Sequence, residues 1–390
     1  MSTLKVDGIR SNSATSDAIT LASDGTCTAQ VTNNLSNRRM NINGAMLVWQ
    51  RGNYVSVSDG SNEDYQSVDR YGFKFGNSST GAATISQSGE VPTNLGFPNS
   101  YKIGVTTVNN NANNAQILFF YRFEAQDIVS SGWKYNDPNS FLTISFYFKS
   151  NKSGTNKLPV QIRTFDGTVY YYVAEITQSD TNWNRHTVKI PGNSNLTFNN
   201  DTGTGLEIAW YFAVGSTLQG SADTWGTTNI HGTSNSTNYF DSTSNDMWIT
   251  GIQIEATTNG IATGFEHRSY ADELRRCQRY YFKRTGGNGD QMCLGYAESA
   301  DRFAFMVNYP VPMRANPSFT GSATSVRFYS NNPSDTFNMS QLVVFQQPTT
   351  PNPEQGALWR EGTSGATAGQ GGGLQTYDSS TSTMEFSAEI

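Results

Sequence analysis

Two acidic residues three apart, Glu124 and Asp127 in "YRFEAQD", are the chain's best approach to a general acid–base pair. Paired carboxylates are the machinery of glycoside hydrolysis, where they flank the scissile bond. At a strand end beside a turn, however, these two read as hydrogen-bonding groups. Nucleophilic hydrolysis needs an activated nucleophile, and no G-x-S-x-G is present. His186, His231 and His267 are not spaced as metal ligands, and His267 suits capping or an interface. Cys27, Cys277 and Cys293 are too few and too scattered for a disulfide framework or a zinc site, and read as buried free thiols. These residues lead us to expect no enzyme and no cofactor.

Saccharide recognition asks for other residues: flat aromatic faces for the apolar side of a sugar ring, and loop groups for its hydroxyls. Trp133 and Tyr135 lie in "SSGWKYNDPNS", Trp225 and His231 in "SADTWGTTNIHGTS", and Tyr239 just beyond. Trp225 leads these candidates, because its long polar loop offers few core partners. Trp133, Tyr135 and Tyr239 stand beside it, though each also suits a loop anchor. Trp248, inside the strand "MWITGIQIE", reads as a packing residue. Asp and Asn oxygens in such loops suit a structural Ca²⁺, but no spaced ligand motif requires one.

The elements that carry these loops are legible from composition. With 36% hydrophobic and 15% charged residues, 22 Phe, 19 Tyr and 36 Gly, the chain reads as many short strands and loops. A net charge of −6 and the aromatic content exclude disorder, and the acidic balance argues against nucleic acid. The opening "MSTLKVDG" is no apolar signal and no run has membrane length, so folding in a cytoplasm and no membrane insertion are expected.

Residues 1–36 are polar, with short alternating pieces that suit strand addition to a partner but enclose no core. From residue 37 to 268 the pattern is a jelly-roll β-sandwich. In "FLTISFYFKS", Leu142, Ile144, Phe146 and Phe148 share one face and Thr143, Ser145 and Tyr147 the other. Residues 269–288 change character: six of the 26 Lys and Arg fall within residues 268–284. Ser269 and Asp272 make a capping-box-like start, and Asp272 and Arg276 are spaced for an ion pair. Tyr270, Leu274, Cys277 and Tyr281 form an apolar stripe. The spacing predicts a connecting helix of about 12–14 residues, closed by "RTGGNG". Residues 289–390 read as a smaller β-sandwich, with strands at "QMCLGYAE", "RFAFMVN", "SVRFYS", "QLVVFQQ" and "TMEFSAEI" and a flexible loop at "GTSGATAGQGGG". The fold class is therefore all-β.

Six segments in this order, "INGAMLVWQRG", "VDRYGF", "YRFEAQD", "LTISFYFKS", "ITGIQIE…ATGFEHRSYADELRRCQRYY" and "YPVPMRANPSFT", resemble bacteriophage tail-fibre and related virion proteins. Those proteins carry a jelly roll similar to carbohydrate-binding modules, and the closing "FSAEI" resembles the final strand of their C-terminal domain. The resemblance spans roughly residues 40–390 and implies a non-catalytic homotrimer on a virion, made in the host cytoplasm. It implies a tail fibre that meets host-surface polysaccharide, or else a head fibre, decoration or adaptor protein. Residues 1–36 match no motif of that family and are expected to attach the chain to other virion proteins.

Overall fold

A computed structural model describes residues 6–21, 23, 27–29, 37–58, 65–76, 79–109, 113–322, 326–330, 336–339, 353–361, 365–377 and 382–390. Much of residues 1–36 and the whole of "QLVVFQQ" lie outside them. The described part of the opening segment holds three short strands, β1 (Gly8–Ile9), β2 (Ile19–Leu21) and β3 (Cys27–Ala29), paired with one another in an antiparallel sheet.

The sandwich begins with β4 (Tyr54–Ser58), β5 (Tyr71–Gly76), β6 (Ala82–Ser88), β7 (Ser100–Thr107) and β8 (Gln116–Glu124). A five-residue helix, α1 (Ala125–Val129), follows. Then come β9 (Phe141–Ser150), β10 (Asn156–Thr164), β11 (Tyr171–Gln178), β12 (Asn184–Pro191), β13 (Thr204–Val214) and β14 (Asp246–Thr257). They form two sheets, β11-β10-β13-β8-β5 and β12-β9-β14-β7-β6-β4. Period-2 alternation decides what lies between them. Leu142, Ile144, Phe146 and Phe148 of β9 are all fully buried, as the alternation of "FLTISFYFKS" requires. They meet Phe119, Trp210 and Phe212 of the facing sheet in one core.

The charged stretch forms α2 (Tyr270–Gln278), nine residues instead of 12–14. Its start is as expected: Ser269 Oγ accepts the Asp272 N–H, and its hydroxyl donates to the Asp272 carboxylate at 2.6 Å. Asp272 thereby turns back to Ser269 and forms no ion pair with Arg276. The buried face is Glu273, Cys277 and Tyr280, while Tyr270 is 57% exposed. Of the expected stripe, Cys277 and Tyr281 are buried and Leu274 packs half-buried beside Cys277, and Tyr270 is the exception. The helix stops early because the aromatic run "YYFKRT" prefers an extended chain: residues 281–286, within the expected helical segment, are strand β15 (Tyr281–Gly286).

The remaining strands are β16 (Gln291–Ala297), β17 (Arg302–Asn308), β18 (Ser318–Ser322), β19 (Val326–Ser330), β20 (Thr336–Met339), β21 (Gln355–Glu361), β22 (Gly371–Thr376) and β23 (Ser382–Ser387). Sheets β15-β23-β18 and β20-β19-β22-β16-β17-β21 enclose Phe303, Phe305, Phe328, Leu374 and Phe386. Gly371, Gly372 and Gly373, expected in a flexible loop, open β22 inside the sheet. A Cβ on Gly372 would stand 2.5 Å from the Phe328 ring and from the Tyr329 carbonyl, so only glycine allows this approach.

Candidate functional site

Registers on the outer face of the five-stranded sheet bring one polar row together. Arg163 of β10 lies opposite Tyr171 of β11 on one side and Glu207 of β13 on the other. Glu207 lies opposite Arg122 of β8. Ile162, Ile208 and Tyr121, the neighbours in sequence, point into the core, which forces this row outward. Arg122 Nε donates to Glu207 at 2.7 Å, and its guanidinium sits 4.8 Å over Phe120. The Arg163 guanidinium is 4.5 Å over Phe165 and 5.8 Å from Tyr171. Its Nε is buried and has no hydrogen-bond partner, and the side chain as a whole is half-buried.

The long polar loop after β13 walls this face. Its Asp223 N–H donates to Val173 O at 2.8 Å, Gly226 bridges to Tyr171, and Thr233 Oγ1 donates to Glu175 at 2.6 Å. His231 stacks on Tyr211 at 4.8 Å and bonds Asn229 through Nε2 at 2.8 Å. Burial drives the His231 imidazole down to about 4, with repulsion from Arg163 and Lys74 adding to it. His231 thus stays neutral beside Arg163.

The aromatic residues expected to bind are placed differently. Tyr239 is fully buried between Phe148 and Phe212, and Trp133 is 3% exposed with its Nε1 donating to Ser140 O at 3.3 Å. Neither has an open face, which corrects the reading of both as platforms. Tyr135 is half-buried edge-on to Phe198 at 4.9 Å. Trp225 packs at 5.2 Å on Tyr172, and its Nε1 donates to Pro191 O at 2.8 Å, bridging from beside β11 to the end of β12. It plugs the edge of the sandwich. Trp248, expected in the core, faces outward between Lys102 and Lys149, 5.3 and 5.4 Å from its ring. The row itself was missed. "LPVQIRTF" alternates Leu158, Val160 and Ile162 with outward Gln161 and Arg163, but the matching of Arg163 with Glu207 and Arg122 is a non-local register.

A second constellation gathers the segments that carry the family resemblance. Glu273 is fully buried, ion-paired by Arg39 and 3.7 Å from Arg268. Burial pulls Arg39 down to about 10, and Arg268 adds to the shift. Glu124 receives Arg279 Nε at 2.8 Å and Nη2 at 2.7 Å, and Tyr280 OH at 2.5 Å. Burial pushes the Glu124 carboxyl up, but these donors outweigh it and hold the group below its ordinary value. Glu389 binds Arg51 at 3.1 Å and also Arg70. Arg314 clamps the carbonyls of Ala388, Thr202 and Glu389 at 2.7, 2.7 and 3.1 Å. Glu124 is thus committed to structure, as its strand-end position suggested.

A cleft of about 1070 Å³ runs beside this junction, lined by Lys134, Asp137, Glu255, Arg276 and Arg279 among others, with Tyr280 its sole aromatic residue. Among the described residues no group of three or more His, Cys, Asp and Glu is placed to hold a metal ion. His186 bonds Gln178 at 2.8 Å, and His267 packs between Phe97 and Phe265. Cys277 and Cys293 are buried free thiols. No described helix is long and apolar enough to cross a membrane.

No protein-family model matches the chain. No curated protein matches it. Among solved structures it is similar to the enzymatically active domain of bacteriophage CBA120 tailspike protein 4, at 14% identity over 56% of this chain and 22% of that one, with a TM-score of 0.29. It is also similar to a family 11 carbohydrate-binding module from Clostridium thermocellum, at 13% identity over 55% of this chain and 98% of that one, TM-score 0.27. A third is the C-terminal family 22 carbohydrate-binding module of Clostridium thermocellum Xyn10B, at 11% identity over 54% and 98%, TM-score 0.27. The chain spans less than a quarter of the tailspike chain's length. Scores this low leave function to the side chains.

Proposed function

We propose that the chain is a non-enzymatic, homotrimeric phage appendage protein, a tail fibre, that recognises host-surface saccharide through the outer face of its five-stranded sheet. The observation that carries the reading is the half-buried pair Arg163 and Arg122, set in one row by Tyr171 and Glu207, which are themselves 8% and 4% exposed, with Phe165 beneath Arg163. Rings and fixed hydrogen-bonding groups side by side are what a sugar's two kinds of surface require. The ordered motifs of the sequence support the virion setting, and residues 1–36 are the proposed attachment to other virion proteins.

The trimer is supported by an apolar outward patch. Leu294 lies opposite Met306, Tyr296 follows two residues on, and the three are 70%, 46% and 46% exposed. Exposed clusters of this kind mark contact surfaces. The same patch favours the second reading, a head fibre, decoration or adaptor protein, in which the sandwiches only build the particle. Binding to host cells before and after enzymatic stripping of surface polysaccharide separates the two. The fibre reading expects binding to fall with the polysaccharide; equal binding, or none to intact cells, overturns it. Light scattering tests the trimer, which a particle of one 42.8 kDa chain would contradict.

A further inference from the structure

We infer that the saccharide held on this face is anionic, bearing a carboxylate or phosphate that Arg163 grips. The inference rests on the saccharide reading above and narrows it to one ligand chemistry. On a chain of net charge −6, the five strands direct Lys74, Arg122, Lys157 and Arg163 outward against Glu207 and Glu175. Glu124, at the end of β8, is taken by Arg279. Of the two carboxylates, Glu207 belongs to Arg122 at 2.7 Å. Glu175 receives Thr233 and lies 3.7 Å from Lys157. Arg163 is left without an acceptor, although its register puts it directly opposite Glu207.

Among the described arginines that are not exposed, that vacancy is unusual. Arg39, Arg51, Arg70, Arg268, Arg279 and Arg314 each receive a carboxylate or backbone carbonyl. A partly desolvated guanidinium without an acceptor is costly, and stacking on Phe165 and Tyr171 fixes its plane without satisfying its donors. The rigid fork matches two oxygens of one carboxylate or phosphate. A neutral sugar would fill the hydrogen bonds and leave the positive charge uncompensated.

The test presents the full chain to an array of purified bacterial capsular and O-antigen polysaccharides, sorted as neutral, uronate-bearing and phosphate-bearing. Binding confined to one or both anionic classes is expected, and which class responds identifies the group. Reduction of the uronate carboxyls to alcohols, or removal of the phosphates, should weaken binding about ten- to a hundredfold, the usual worth of a charge-assisted hydrogen bond. Arg163→Ala should lose a similar factor with an unchanged melting temperature, and Arg163→Lys should retain part of it. Equal binding to neutral polysaccharides, or wild-type binding by Arg163→Ala, overturns the anionic inference while sparing the saccharide reading. Binding to no polysaccharide overturns both.

Discussion

The junction around α2 and the outer row of the five-stranded sheet are built from the same residue types and differ in who supplies the acceptors. At the junction, Glu273, Glu124 and Glu389 come from the chain itself and meet Arg39, Arg279, Arg51 and Arg70. On the outer row Glu207 satisfies Arg122 and leaves Arg163 open. Buried guanidiniums that each meet a carboxylate hold two sandwiches together, although Nε of Arg39 and of Arg70 also lacks a partner; a guanidinium with no acceptor at all is a place for something else to bind. Abundant arginine therefore says little until each guanidinium's partner is known.

The largest effect should come from breaking those buried pairs. Glu273→Ala leaves Arg39 buried beside Arg268 without its carboxylate and should cost about 3–5 kcal/mol in chemical denaturation. Trp225→Ala comes next, at about 2–3 kcal/mol, since it removes a half-buried plug and its hydrogen bond. Trp248→Ala, on the outward face, should cost about 1 kcal/mol or less. The opposite order would restore Trp225 as a free platform.

A separate effect is expected from pH. His231 is neutral in the fold with its pKa lowered from 6.5 to about 4. Its contribution is therefore intact above 6.5 and lost as pH falls toward 4, where the unfolded chain takes up the proton first. The loss should reach at most about 3 kcal/mol. Replacing His231 with Gln should flatten that part of a stability–pH profile. Arg163→Ala should change stability least, within about 0.5 kcal/mol, because no hydrogen bond within the fold is lost. A larger drop would make the outer row as structural as the junction.

Much of this was legible in the sequence where the information is local. The alternation of "FLTISFYFKS" places four side chains in the core, and Ser269 with Asp272 starts the helix. Other features depended on distant partners. Glu273 is buried because Arg39 and Arg268 come to it from either side of the sandwich sequence. Gly372 sits in a strand because Phe328 crosses it. Trp225 and Trp248 exchanged their expected roles because a loop position was taken for exposure and a strand position for burial. In fact a loop can plug an edge, and a strand has two faces. Arg163 carried a faint signal as an outward charge in a strand, but only the register gives it Glu207 and Arg122 as neighbours.

The claim that the outer row binds while the junction only holds is tested most directly by hydrogen–deuterium exchange of the full chain, with and without a polysaccharide that it retains. Slowed exchange in segments 119–124, 161–171 and 204–209, with no change in 270–280 and 384–390, is the expected pattern. Protection confined to the loop around Trp225, or to β16 and β17, would contradict it.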